Sequence, residues 1–88
     1  MANQTVSVDD PMSFDPPNVN IKAGDTVTWN WSGSGHSVTS DDDTFDSDVQ
    51  SAPFTFSQTF STAGTFGYYC KVHGDAGGIG MSGTVVVS

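Results

Sequence analysis

The chain has 88 residues and a formal net charge of −8, and Lys22 and Lys71 are its only cations. This length suffices for one domain with a modest core, so we expect residues 1–88 to form a single domain. The acidic balance argues against nucleic acids and anionic membrane surfaces as partners, and leaves a basic protein partner or adaptation to high salt open. No apolar run reaches the roughly 18 residues of a membrane span, so direct membrane insertion is not expected.

The composition is typical of a turn-rich, all-β chain. There are ten Gly and four Pro, and all ten acidic residues are Asp, which favours turns over helices. Cys70 is the only cysteine, so no intrachain disulfide is possible. The N-terminus starting at Met1 has no features of an export signal, and we expect that a signal or anchor of the native protein is absent from it.

Alternation of apolar and polar residues predicts strands in the first half of the chain. Residues 5–8 form a weak first strand, and residues 19–31 predict a hairpin-like pair around a turn at 23–25. The valine and tryptophans of the second strand of that pair share one face and are expected in the core. A glycine-rich loop then precedes a candidate short strand at 37–40.

The second half predicts an acidic segment followed by three further strands. Residues 41–50 are irregular, and Phe45 is their one large apolar anchor. In the strand at 54–60, Gln58 falls on the face of the phenylalanines, which indicates a bulge or an edge position.

A strand at 66–70 places Tyr68 and Cys70 on one face and Tyr69 on the other. A glycine-rich loop at 74–80 and a closing strand at 83–87 complete the chain. About seven to eight short strands, with turns every 8–12 residues, predict a Greek-key β-sandwich.

Four side chains of different softness suggest a metal site near the C-terminal strands. Cys70 ends a predicted strand, His73 follows it, and Met81 begins the next strand, so a strand–loop–strand unit can bring all three together. His36 follows a separate loop and can supply a fourth donor. Two imidazoles, one thiolate and a weak thioether suit copper in both oxidation states.

The chain resembles the plastocyanin-like cupredoxins, and among them the halocyanin-type members. The resemblance runs through residues 19–31, the histidine-bearing segment 35–40, the approach to the cysteine at 56–70, and the last strand at 80–87. It implies a cupredoxin-like sandwich that carries single electrons on one copper ion. It also implies an extracytoplasmic location, redox proteins as partners, and a monomer.

The resemblance implies a role for each donor. His36 and His73 bind copper through imidazole nitrogen, Cys70 binds as thiolate, and Met81 is the weak axial donor. The backbone N–H of Ser37 points toward the cysteine sulfur and tunes the reduction potential. Met12, which sits between Pro11 and Phe14, is expected to pack rather than to bind metal.

The resemblance also implies where electrons leave the protein. The ring edge of His73 is the main exit, Tyr69 marks a second route, and Ile79 is an apolar contact for a partner. Two departures from the family pattern stand out. The spacing from His73 to Met81 is longer by about three glycine-rich residues. Ser37 stands where many relatives have asparagine, and we expect the loops around it to be looser.

Other functions remain open from the residues alone. The chain could be an excised domain of a larger copper enzyme, although only two histidines are present and a second copper centre needs more. A copper delivery or storage module usually needs clustered methionines, and a metal-free adhesive sandwich needs no donors at all. A cysteine nucleophile lacks a visible oxyanion hole, and the acidic run at 41–43 lacks the pattern of a calcium loop. We therefore expect a carrier and not an enzyme.

Overall fold

A computed structural model describes residues 4–9, 13–42 and 44–88, and ten strands lie within them. The strands are β1 (Gln4–Asp9), β2 (Ser13–Asp15), β3 (Asn18–Ile21), β4 (Asp25–Trp31), β5 (Ser34–His36), β6 (Thr39–Ser40), β7 (Gln50–Ser51), β8 (Phe54–Phe60), β9 (Gly64–Asp75) and β10 (Ile79–Val87). Within these ranges no helix is long and apolar enough to cross a membrane. Met12 and one residue of the acidic run, Asp43, lie outside the described residues.

The strands form two four-stranded sheets and one short pair. One sheet has the order β2-β1-β4-β8, the other has the order β3-β10-β9-β6, and β5 pairs with β7. The β1–β4 and β3–β10 pairs are parallel, and the remaining pairs are antiparallel. The predicted all-β sandwich is confirmed. Ten strands are described instead of seven to eight, because four of them have only two or three residues.

Aromatic side chains from both sheets fill one core. Trp29 of β4 and Tyr68 of β9 are fully buried, and their ring centroids are 5.2 Å apart in an edge-to-face contact. Phe14 of β2 contacts the same tyrosine at 4.8 Å. Burial raises the pKa of Tyr68 to about 12, and its hydroxyl donates to the Pro17 carbonyl oxygen at 3.0 Å. The polar end of this core ring is thus satisfied inside the sandwich.

The predicted hairpin at 19–31 is wrong. β3 pairs with β10 in one sheet, whereas β4 pairs with β1 and β8 in the other. The turn between them crosses from sheet to sheet, because the Ala23 N–H donates to the Ser88 carbonyl oxygen and the Gly24 N–H donates to the Phe60 carbonyl oxygen. Both strands turn an apolar face to the shared core, so their alternation identifies the faces and leaves the pairing partners undetermined.

The position of Gln58 follows from the edge of a sheet. β8 is the outer strand of its sheet and keeps a continuous register with β4, from Asp25↔Phe60 to Trp31↔Phe54. Gln58 is half-buried on the phenylalanine face. Of the two explanations that the sequence allowed, the edge position is therefore confirmed and the bulge is not.

The glycine-rich segment at 74–80 is a hairpin and not a loop. β9 continues through Cys70 and His73 to Asp75, and β10 begins at Ile79, so only residues 76–78 turn. The two strands pair at Asp75↔Ile79 and Gly74↔Gly80. The expectation that Cys70 ends its strand is corrected in the same way.

We predict that Gly83→Ala destabilises the fold. A Cβ at Gly83 would overlap the Pro17 carbonyl oxygen and lie 2.5 Å from the Tyr68 hydroxyl oxygen, so the sheet must shift or the buried hydrogen bond must break. Overpacking of this kind costs about 1–3 kcal/mol of unfolding free energy. Chemical denaturation of the full chain measures it. The neighbouring change Ser82→Ala is the control and should cost much less; equal losses for the two variants would contradict the packing argument.

Candidate metal centre

Two imidazoles and one thiol converge at one end of the sandwich. The candidate ligand atoms of His36, Cys70 and His73 all lie within 4.8 Å of one another. The Cys70 Sγ atom is 3.9 Å from His36 Nδ1 and 3.6 Å from His73 Nδ1. Both histidines therefore present the same ring nitrogen to the sulfur.

The strand pairing explains how Cys70 and His73 reach one point. Between β9 and β10 the register runs up to Tyr69↔Ser82 and resumes at Gly74↔Gly80. Residues 70–73 are not paired with β10, so they leave the regular pleat. In a regular strand, two residues three positions apart would face opposite sides of the sheet. The break in pairing allows the thiol and the imidazole to point to the same place.

Glycines allow the backbone to close around this break. A Cβ at Gly74 would lie 2.5 Å from the Met81 carbonyl oxygen and 2.9 Å from the Met81 nitrogen. Gly80 has φ +65°, and a Cβ there would lie 2.5 Å from the His73 carbonyl oxygen. Side chains at either position would push the methionine strand away from the histidine strand.

Met81 occupies the same irregularity from the other strand. It lies between the paired residues Gly80 and Ser82, opposite the unpaired segment 70–73. Its side chain is buried and belongs to the same apolar cluster as Cys70. The structure thus groups the three donors His36, Cys70 and His73 directly, and it brings Met81 to the segment that carries two of them.

The spacing of the donor atoms fits one metal ion. A metal with bonds of about 2.0 Å to nitrogen and about 2.3 Å to sulfur, at the angle of a planar three-coordinate centre, separates the two donors by about 3.7 Å. The two sulfur–nitrogen distances, 3.9 and 3.6 Å, lie on either side of this value. His36 and Cys70 are fully buried and His73 is half-buried. The spacing is that of a single metal ion, and the donor set is one that suits copper.

Two hydrogen bonds fix the backbone around the buried donors. The indole Nε1–H of Trp31 donates to the His36 carbonyl oxygen at 2.9 Å. The Ser37 N–H donates to Cys70 Sγ at 3.5 Å, which is the contact expected from the resemblance. Sequence reasoning placed Trp31 in the core and missed its bond to His36. The available signal was the rule that a buried indole N–H usually finds an acceptor.

The Ser37 side chain joins two segments that carry donors. The Lys71 N–H donates to Ser37 Oγ at 2.9 Å, and Ser37 Oγ is 3.0 Å from Thr39 Oγ1. The serine hydroxyl therefore joins the two segments, and the expectation of looser loops at this position stays a prediction. A short hydroxyl makes the link because the two backbones are already close, as the bond between the Ser37 N–H and the sulfur shows.

One ion pair lies beside the site. The Lys71 ammonium pairs with the Asp46 carboxylate and lies 3.5 Å from Asp48 Oδ1. Its hydrogen bond to Asp46 raises the pKa of Lys71. Burial alone would raise the pKa of Asp46, but the hydrogen bonds from Lys71, the Asp48 N–H and Thr39 outweigh it and hold that pKa below its usual value. The pair therefore stays ionised at neutral pH.

Two exposed apolar side chains lie in the hairpin that carries the partly exposed His73. Val72, which precedes His73, is 56% exposed, and Ile79 on the opposite strand of the hairpin is 61% exposed. Tyr69, expected to face outward, is half-buried. The valine and the isoleucine are thus apolar and accessible in the same hairpin as His73.

A strand sandwich in which two imidazoles and a buried thiol meet at one end defines a cupredoxin, a protein that carries single electrons on one copper ion. All 88 residues match the sequence profile described as "Copper binding proteins, plastocyanin/azurin family". The chain belongs to this family, and copper is its metal.

Individual proteins agree with this assignment. The plastocyanin of Scenedesmus fuscus is 42% identical where the two chains align, and the match covers 84% of this chain and 85% of that protein. The halocyanin of Natronomonas pharaonis is 41% identical, and the match covers 85% of this chain and 48% of that protein. The chain therefore spans about half of that halocyanin's length.

Solved structures agree as well. A mutant amicyanin in the reduced Cu(I) form superposes with a TM-score of 0.79 at 28% identity, covering 100% of this chain and 84% of the amicyanin. A purple cupredoxin from Nitrosopumilus maritimus superposes with a TM-score of 0.80 at 24% identity, covering 96% of this chain and 98% of that one, and shows the shared fold.

We predict that Trp31→Phe weakens copper binding. The change keeps an aromatic ring but removes the indole hydrogen bond to the His36 carbonyl oxygen, and the loss of a buried hydrogen bond costs up to about 1.5 kcal/mol. The copper dissociation constant should rise by about tenfold. Competition with a chelator of known affinity measures it. Trp29→Phe removes the same ring atoms without touching His36 and serves as the control. If both variants bind copper equally, the bond to His36 has no role in holding the site.

Proposed function

We propose that His36, Cys70 and His73 bind one copper ion, with Met81 as a weak axial donor, and that the ion alternates between Cu(I) and Cu(II). The observation that carries this proposal is the convergence of three donor atoms within 4.8 Å. Residues 1–88 act as a single domain. The protein is a type 1 copper carrier that moves one electron at a time.

The donor set suits both oxidation states. Imidazole nitrogen suits Cu(II), and the sulfur donors are soft enough to hold Cu(I) as well. The Cys70 thiol is fully buried and receives the Ser37 N–H, which lowers the electron density on the sulfur. The backbone contacts around the donors hold them in place, so little rearrangement accompanies the change in charge.

The electron leaves through the half-buried imidazole of His73. This residue is the one donor of the converging three with a partly exposed side chain, and Val72 and Ile79 are exposed beside it in the hairpin. An apolar surface lets a partner approach closely without a high cost of desolvation. Tyr69, which directly precedes Cys70, provides a second route.

The partners are redox proteins with a basic docking surface. The chain has a net charge of −8, and one of its two cations, Lys71, is neutralised by Asp46 and Asp48. Such a field attracts positively charged partners and speeds their association at low salt. We place the protein outside the cytoplasm as a monomer. Several plastocyanins among its relatives are named chloroplastic, which supports a location beyond the cytoplasm.

The protein is a carrier and not an enzyme. Both histidines of the chain are used at the proposed site, so none remains for a second copper centre. No feature of the described residues favours a delivery or storage module. The buried thiol is also poorly placed to pass copper to another protein.

We predict that Cys70→Ala abolishes copper-dependent stabilisation, whereas Met81→Leu retains it. A metal that binds only the folded state raises its melting temperature by mass action. Without the thiolate, the site loses its strongest donor and the shift on adding copper should vanish. Thermal unfolding of the full chain with and without one equivalent of copper measures this effect.

Voltammetry of the same proteins tests the axial donor. The wild-type chain should give a reversible wave for one electron. Met81→Leu should give one at higher potential, because the loss of a fourth ligand costs the more highly charged Cu(II) more than it costs Cu(I). Val49→Leu, an exposed apolar position on another segment, is the control and should leave the potential unchanged. An unchanged potential in Met81→Leu would show that Met81 is not an axial donor.

A further inference from the structure

A closed loop of polar contacts begins and ends at Lys71. The Lys71 N–H donates to Ser37 Oγ at 2.9 Å, and Ser37 Oγ is 3.0 Å from Thr39 Oγ1. Thr39 Oγ1 donates to Asp46 Oδ1 at 3.0 Å, and the Asp46 carboxylate pairs with the Lys71 ammonium. The backbone and the side chain of one residue are thus joined through two hydroxyls and one carboxylate.

The carboxylate sets the direction of every hydrogen bond in this loop. An ionised carboxylate only accepts, so the single hydroxyl hydrogen of Thr39 goes to Asp46. Thr39 must then accept from Ser37, which uses the single hydroxyl hydrogen of Ser37. The lone pairs of Ser37 Oγ are therefore turned toward the Lys71 N–H. Reversal of any one bond would leave two donors or two acceptors facing each other.

Burial makes the direction of these hydrogen bonds important for the stability of the loop. Ser37 is 0% and Thr39 is 1% exposed, so water cannot replace a lost partner without a rearrangement. The Lys71 N–H belongs to the stretch of β9 that has no partner on β10. The Ser37 hydroxyl accepts this N–H in place of a carbonyl oxygen of β10. Lys71 directly follows Cys70 and Ser37 directly follows His36, so this hydrogen bond joins the backbone next to one donor with the backbone next to another.

Asp46 is itself held in place from a separate segment. Its Oδ1 atom also accepts the Asp48 N–H at 2.9 Å. The residue between them, Ser47, forms two hydrogen bonds with Val38, and the backbone N–H of each residue donates one of them. The first of these is the Val38 N–H to Ser47 Oγ at 2.8 Å, and the second is the Ser47 N–H to the Val38 carbonyl oxygen at 2.9 Å. The acidic segment is thus fastened to the strand that carries Thr39.

We propose that Thr39 and Asp46 are positioning residues of the copper site. They orient the Ser37 hydroxyl so that it holds the Lys71 backbone, and in this way they keep the segment of Cys70 next to the segment of His36. Neither residue supplies a donor atom to the proposed site. This inference rests on the copper site proposed above.

Thr39→Val tests the inference because valine keeps the shape and removes the hydroxyl. Hydrogen exchange of the Lys71 amide is followed by NMR on the full chain, without metal and with one equivalent of Cu(I). Exchange should be about 3- to 10-fold faster in Thr39→Val, and copper release to a chelator should accelerate in the same direction. Thr39→Ser restores the hydroxyl and should return both rates to near those of the wild type.

Two controls separate a specific effect from general loosening. Thr28→Val removes a hydroxyl that contacts Ser57 on the other sheet, and it should change neither rate. Asp46→Ala removes the terminal acceptor at an exposed position, so it tests the loop even if Thr39→Val does not fold. Asp48→Asn is the second control and should also change neither rate, because it alters a carboxylate near Lys71 that is not part of the loop. Asparagine tolerates the φ of 60° at this position.

The outcomes distinguish the inference from the proposed function. Faster exchange and faster copper release in Thr39→Val and Asp46→Ala, with rescue by Thr39→Ser, support the inference. If the wild type binds copper but the Lys71 amide and copper release are unchanged in both variants, the inference fails and the proposed function stands. If the wild type does not bind copper, the proposed function fails and the positioning role fails with it.

Discussion

The interrupted pairing of β9 with β10 is the constraint on which the site depends. The ladder holds as far as Tyr69↔Ser82 and resumes only at Gly74↔Gly80. Within the gap, Cys70 and His73 escape the alternation that would send them to opposite faces of the sheet. Met81 enters the gap from the other strand. A continuous ladder would give a more regular sheet and no convergence of donors.

The gap leaves the Lys71 N–H without a partner on β10, and a side chain of the site accepts it instead. The Ser37 hydroxyl takes the Lys71 N–H, and the Ser37 N–H reaches the Cys70 sulfur. The same residue follows His36, whose carbonyl oxygen is held by Trp31. The contacts that compensate for lost pairing are therefore also the contacts that hold the donors together. Preorganised donors in this arrangement require little movement when the charge on the metal changes.

The faces of the strands and the donor set could be predicted from the sequence, since both depend on residue type and spacing. Val27, Trp29 and Trp31 alternate as expected and are buried. Strand partners could not be predicted: the strands at 18–21 and 25–31 show the alternation of a hairpin but lie in different sheets. The hairpin at 74–80 was not predicted, because a glycine-rich segment is typical of a loop. Two of its glycines, Gly74 and Gly80, instead allow the two strands to approach closely.

The polar contacts around the site could not be predicted for a different reason. The bond between the Lys71 N–H and Ser37 Oγ joins residues that are 34 positions apart, and no periodicity marks such a pair. The family resemblance predicted a looser connection at Ser37, because it compared this residue with the longer side chain of asparagine, and it did not predict the bond to Lys71. Whether a hydroxyl can make the link depends on the distance between two backbones, which only the folded chain determines.

A visible absorption spectrum recorded during titration with Cu(II) tests the central claim most directly. Electron transfer from a thiolate to Cu(II) on excitation gives an intense band, so the spectrum reports whether Cys70 binds the metal. We expect an intense blue band that saturates at one copper per chain. A pale or absent band in a folded chain that binds copper would show that Cys70 is not a ligand, and it would contradict the site.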